Sequence, residues 1–145
     1  MKAVVQRVKS AKLSCEGKSV SEIGFGLVVY FGVAVGDGTE KVDNLAKKIS
    51  ALRVFEDDSG KMNLSVKDVG GEILSVSQFT LLADVSHGNR PGFSGAEVPD
   101  KAKPLYDYFC ERLAFEGVGV KTGVFGGDMT IEQVNIGPVT IIYEI

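Results

Sequence analysis

Five consecutive apolar residues, Leu27-Val28-Val29-Tyr30-Phe31, follow Gly24-Phe25-Gly26 with no polar alternation. Side chains on a strand point to opposite faces at successive positions, so such a run needs cover on both faces. Its β-branched and aromatic members favour an extended chain. The segment therefore predicts the central strand of a sheet buried on both sides. A chain of 145 residues has interior enough for one such core and little for a second, and we expect a single domain over residues 1–145.

The flanking segments supply the rest of that core. Residues 2 to 8 are rich in Val, and Ala11, Leu13 and Cys15 alternate with polar neighbours before Glu16-Gly17-Lys18. This predicts two strands and a tight turn, with a third short strand from Ser19 to Ile23. Val42, Leu45, Ile49 and Leu52 recur at helical spacing, and Asp37 or Thr39 can cap that helix. Val54 and Phe55 start an extended piece, Asp57-Asp58-Ser59-Gly60 is a turn, and Ile73 to Phe79 reads as a strand. Leu82 to Pro99 has no periodicity and holds the single His, the signature of a functional loop. A second helix is expected from about Lys103, with Pro104 in its first turn, Leu105, Phe109 and Leu113 on its buried face, and Gly117 at its end. Residues 118–125, 129–136 and 139–144 predict three closing strands. The pattern is that of a mixed α/β domain with a largely antiparallel sheet.

Charge and composition narrow the functions. With 16 Lys plus Arg against 19 Asp plus Glu the net charge is −3, which excludes coating of nucleic acid by bulk charge and leaves room for a small site that holds one RNA end. The longest apolar run, Leu27 to Val35 broken by Gly32, is far short of the roughly 20 residues that span a bilayer. Lys2 and Arg7 interrupt the first apolar stretch, so no secretory signal is expected. These features predict a cytoplasmic protein in which Cys15 and Cys110 are reduced thiols.

One His and two distant cysteines do not supply a zinc site, and no metal or other cofactor is expected. Gly24-Phe25-Gly26 precedes a strand, where a phosphate-binding loop would follow one. A Ser-His-acid triad would have to recruit His87, and a Cys-His dyad would have to join Cys110 to it. Two segments remain: Ser77-Gln78-Phe79-Thr80-Leu81 at a strand end, and Gly137-Pro138-Val139-Thr140 before the last strand. Both place small polar groups and open backbone where strands finish. Taken alone, each also reads as an ordinary strand end or a turn.

Together the two segments resemble the signature of the D-aminoacyl-tRNA deacylases, and the likeness covers nearly the whole chain. It includes Met1-Lys2-Ala3-Val4-Val5-Gln6-Arg7-Val8, Leu52 to Asp57, Gly60-Lys61-Met62-Asn63, Asp68 to Glu72 and Ser75 to Leu81. It continues through Gly88-Asn89-Arg90-Pro91, Pro104-Leu105-Tyr106, Thr122 to Gly126, Asp128-Met129 and Asn135 to Thr140. The chain departs from the family pattern at Gly92, where Ser is usual, and at His87, where Lys is common.

The resemblance implies a fold of twisted, largely antiparallel sheet forming a partial barrel, with two main helices on one face. It implies a homodimer in which a cis Gly137-Pro138 of one subunit enters the partner's pocket. Ser77, Gln78, Phe79 and Thr80 would form the catalytic wall, Arg7 would hold the Gly-Pro turn, and Phe125, Gly126 and Met129 would hold the terminal adenosine of tRNA. The implied partner is the 3′ end of aminoacyl-tRNA, with no membrane. None of the motif side chains titrates near pH 7. Water activation by the ribose hydroxyl of the substrate, with backbone N–H groups around Phe79 and Thr80 as an oxyanion site, therefore stands beside Thr80 as a direct nucleophile. A pocket walled by backbone would reject L side chains by exclusion and would accept glycyl-tRNA. A binding module for RNA ends or replication factors, and a thiol or serine peptide hydrolase using Cys110 or His87, are the other readings that the residues permit.

Overall fold

The computed structural model describes residues 1–145. The predicted central strand, β3 (Gly26–Gly32), is buried at nearly every position. It lies in a sheet of order β2-β1-β3-β6-β7, with β1 at Lys2–Cys15, β2 at Lys18–Ile23, β6 at Glu72–Ser77 and β7 at Gly119–Thr122. The last strand, β8 (Met129–Glu144), pairs with the other side of β1. β1 runs antiparallel to β2, β3 and β8, while β3-β6-β7 are parallel to one another. Two short strands, β4 (Phe55–Glu56) and β5 (Met62–Leu64), form a separate hairpin. The architecture is the mixed α/β, largely antiparallel one read from the sequence, and the parallel β3-β6-β7 edge is its addition.

Alternation along β3 divides the core. Leu27, Val29 and Phe31 pack with Val42, Leu45 and Ile49 of α1 (Thr39–Ser50) and with Tyr106, Phe109 and Leu113 of α2 (Pro99–Phe115), so both helices cover one face. Val28 faces the other way, into a smaller cluster with Val8, Leu13, Leu74 and Val76. The Phe31 and Phe109 rings stack at 4.3 Å between centroids. Gly117, at φ 88°, ends α2 as expected. Its N–H donates to Ala114 O and that of Val118 to Leu113 O, which satisfies two of the last carbonyls of the helix.

Several element limits differ from the sequence reading. The two strands expected over 2–8 and 11–15 are one strand, as are those expected over 129–136 and 139–144, because β1 and β8 pair along both segments and absorb the irregular residues as bulges. The expected strand over 118–125 is only Gly119–Thr122. β6 stops at Ser77, and Phe79–Leu82 winds into a single 3-10 turn. α2 begins at Pro99, which occupies its first turn after the extended Val98, so Pro104 lies inside the helix. Pro104 and Asp100 are exposed, so the bond that proline cannot make falls on the solvent side. Neither Asp37 nor Thr39 caps α1: Gly38 is the N-cap. Asp37 instead accepts from the Ala34 N–H and pairs with the Met1 amino group at 2.7 Å and with Lys41 at 2.7 Å.

Candidate functional site

The parallel edge ends in a cleft. Where β6 gives way to the 3-10 turn, Ser77, Gln78 and Phe79 line a pocket of about 620 Å³, which Phe125, Gly126 and Met129 also line. Thr80 is the next residue of the turn and lies outside the pocket lining. Six of the ten candidate residues thus share one cavity.

The Gln78 N–H bonds to Phe31 O, and that of Leu81 to Gln78 O, while Phe79 and Thr80 open the 3-10 turn, where an N–H has no partner within its own turn. This is the ordinary state of the first N–H groups of a helical turn. Phe79 is 57% exposed, its ring held edge-on at 5.0 Å from Phe93 of the aperiodic loop. The Gln78 side-chain amide donates to the Thr80 hydroxyl. Thr80 has no basic partner that could take its proton.

Ser75, two residues before Ser77 on β6, receives bonds from both α2 and the loop after β7. Ser75 O accepts from the Tyr106 hydroxyl at 2.8 Å and from the Gly123 N–H at 3.0 Å. Burial pushes the Tyr106 phenol well above its ordinary range, so it remains a neutral donor. Its ring lies 6.0 Å from that of Phe125. Gly127 leaves no room for a side chain: a Cβ there would come within 2.9 Å of Cys15 Sγ and 3.1 Å of Val124. The pocket therefore has an aromatic floor and a closely fitted glycine loop beside it.

Arg7, Gly137 and Pro138 lie apart from this pocket. Val8 pairs with Asn135 and Gln6 with Thr140, so Ile136 to Val139 loop out of β8 opposite Arg7. Gly137 and Pro138 are exposed and their peptide bond is cis. Arg7 is only 6% exposed. Its Nε donates to Ile136 O at 3.3 Å and an Nη to Val54 O at 2.6 Å. It therefore braces the carbonyl just before Gly-Pro, rather than those of Gly137 and Pro138 themselves.

The two cysteines are free. Burial raises the Cys110 thiol, which donates to the Ser75 hydroxyl at 3.5 Å, and a buried neutral thiol is a poor nucleophile. His87 sits exposed in the aperiodic loop. No three His, Cys, Asp or Glu side chains converge as they would to hold a metal. Sequence reasoning missed Phe93, Tyr106, Glu97 and Asp128, which also line the pocket. The sequence reading put Leu105 on the buried face of α2, where the structure buries its neighbour Tyr106, and Phe93 and Glu97 belong to a loop without a pattern.

This fold is shared with solved structures. A protein described as c-Myc DNA Unwinding Element Binding Protein superposes with a TM-score of 0.93 at 42% identity, over 100% of this chain and 99% of its own. A probable eukaryotic D-amino acid tRNA deacylase superposes at 0.83 with 20% identity, over 99% and 98% of the two chains. The D-aminoacyl-tRNA deacylase of Limosilactobacillus reuteri (strain DSM 20016) is 53% identical over 144 residues, 99% of each chain. Residues 4–144 match the model of the D-Tyr-tRNA(Tyr) deacylase family, to which this chain belongs.

Proposed function

We propose that the chain, as one domain over residues 1–145 acting in the cytoplasm, hydrolyses the ester of D-aminoacyl-tRNA to free D-amino acid and tRNA. The observation that carries this reading is the single pocket lined both by Ser77, Gln78 and Phe79, where the 3-10 turn begins, and by Phe125, Gly126 and Met129. In this reading the terminal adenosine lies against Phe125, Gly126 and Met129, and the ester carbonyl faces the 3-10 turn. As water attacks, negative charge develops on the carbonyl oxygen, and fixed N–H donors stabilise it by roughly 10² to 10³ in rate per donor. No pocket side chain acts as a general base. The neighbouring ribose hydroxyl of the substrate orients the water, and the protein contributes position.

The exposed Gly137-Pro138 loop supports a further part of the reading. In a homodimer, the loop of one subunit completes the pocket of the other and lines it with backbone carbonyls. Those carbonyls fix the α-ammonium group and leave space on the D side only. Selection is then by exclusion, so glycyl-tRNA is cleaved and L-alanyl-tRNA is not.

The test is deacylation of matched D-Tyr-tRNA and L-Tyr-tRNA by the purified protein, with glycyl- and L-alanyl-tRNA alongside. Release of D-Tyr and Gly alone is expected. Cleavage of L-alanyl-tRNA as fast as glycyl-tRNA would remove the exclusion model. The name of the 42%-identical neighbour favours a second reading, a module that binds a nucleic-acid end without turnover. Binding of D-Tyr-tRNA with no release of amino acid would select it.

A further inference from the structure

The neck of the Gly137-Pro138 loop is held from both faces of the sheet. Asn135 pairs with Val8 and Thr140 with Gln6, so these two residues of β8 mark where the loop leaves and where it returns. Successive side chains of a strand point to opposite faces, so Arg7 and Gln6 reach the neck from different sides. Arg7 closes on the loop from one side: its Nε donates to Ile136 O, and a Cβ added to Gly137 would come within 3.0 Å of its Nη2. On the other side, a chain of side-chain hydrogen bonds joins the two ends.

Gln133 is the centre of that chain. Its Nε2 donates to Asn135 Oδ1 at 2.7 Å, on the outgoing end, and to Gln6 Oε1 at 2.8 Å. Gln6 Nε2 in turn donates to Thr140 Oγ1 at 3.3 Å, on the returning end. The Gln133 Oε1 accepts from the Tyr30 hydroxyl of β3 at 2.9 Å. Both amide protons and the carbonyl oxygen of Gln133 are thus engaged, which fixes the amide in one orientation. Tyr30 is the anchor: it is half-buried, packs against the cluster that holds Val8, Val28 and Val76, and burial raises its phenol, so it stays a neutral donor. The proposed mechanism uses none of Tyr30, Gln6 and Gln133.

We propose that Gln133, clasped between Tyr30 and Gln6, fixes the neck of the Gly137-Pro138 loop and thereby sets how strictly the site excludes L side chains. The proposal rests on the exclusion reading above and deepens it by naming the residue that holds the wall in place. Gln133 touches no substrate and is a positioning residue. A wall of backbone carbonyls rejects a methyl group only if it does not yield, and one amide bonded toward both ends of the loop removes much of the freedom by which it would. Alanine has the smallest L side chain, so it is the one that a yielding wall admits first.

A double-mutant cycle tests this. Gln133→Leu keeps the bulk and removes the bonds to Tyr30, Gln6 and Asn135, and Tyr30→Phe removes only the anchor. Thermal melts establish that each variant folds, and Tyr30→Phe, which loses a single oxygen, carries the test if Gln133→Leu does not fold. Single-turnover cleavage of glycyl- and L-alanyl-tRNA is read for each, with amide hydrogen exchange over residues 134–142. Loss of the clasp predicts that L-alanyl cleavage relative to glycyl rises about tenfold in Gln133→Leu and less in Tyr30→Phe. Exchange should quicken over 134–142 and not in α1, and Tyr30→Phe should add nothing to Gln133→Leu. The proposal is overturned if Gln133→Leu slows both substrates by one factor and leaves their ratio unchanged, if exchange over the loop does not change, or if the two substitutions act independently. Wild-type protein that cleaves L-alanyl-tRNA as fast as glycyl-tRNA would instead refute the exclusion reading, and the proposal with it.

Discussion

Thr80 is where the two proposed mechanisms part. Its hydroxyl accepts from the Gln78 amide, and an amide cannot take up a proton as a base would. We expect Thr80→Val to keep single-turnover deacylation within about threefold, whereas loss of a covalent nucleophile costs several orders of magnitude, on the order of 10⁶ in a well-studied protease. Quench-flow release of D-Tyr separates the two. Asp37 gives a pH prediction at the same scale. Burial raises its carboxyl, but hydrogen bonds from Lys41, the Met1 amino group and Ala34 outweigh that and bring it below the ordinary value. Its folded-state pKa is thus below the unfolded one, so its stabilisation is present at neutral pH and fades as the pH falls through and below the usual carboxylate range. The stability difference between wild type and Asp37→Asn, from urea melts, is expected to shrink steadily from pH 6 to pH 3. The motif residues Ser77, Gln78 and Phe79 were legible in the sequence because they stand together. The Tyr106 hydroxyl was not, because a tyrosine at helical spacing from Phe109 and Leu113 has the same pattern whether it packs in the core or reaches a carbonyl.

At the level of elements, the sequence marked strands through their apolar runs and could not mark their partners. The β3 run showed cover on both faces but not that one neighbour, β6, runs parallel to it. Likewise Gly137-Pro138 reads as a turn between strands, and only the pairing of Gln6 and Val8 with Thr140 and Asn135 reveals a single strand that loops out and returns. The β3–β6 junction makes a sharp prediction. A Cβ at Gly26 would lie 1.9 Å from the Glu72 carbonyl oxygen, which is backbone and cannot step aside. Gly26→Ala is expected to cost about 3 kcal/mol or more, read by denaturant unfolding, while Gly24→Ala, which meets open space, should differ little. The first change separates β3 from the strand that delivers Ser77 to the pocket, so deacylation should fall with it.

For the whole molecule, the test of assembly is whether the Gly137-Pro138 loop and the pocket work in different copies of the chain. Light scattering should give a dimer at assay concentration, and a fully active 15.5 kDa monomer would dismiss the shared site. Because Pro138 is exposed in the single chain, Pro138→Ala should lower activity more than it lowers the midpoint of unfolding. The pairing of β1 with β8 has a different consequence. These strands join residues as remote as Lys2 and Glu144, so one side of β1 has no partner until almost the entire intervening chain is available. Contacts of such long range slow folding, since the loop must close before any bond repays its lost entropy. During translation, β1 leaves the ribosome long before β8 is made, and the nascent chain must travel with one side of that strand unpaired. Its yield in a cell should therefore respond to chaperone supply, and to the pace of synthesis, more than its finished stability alone would indicate.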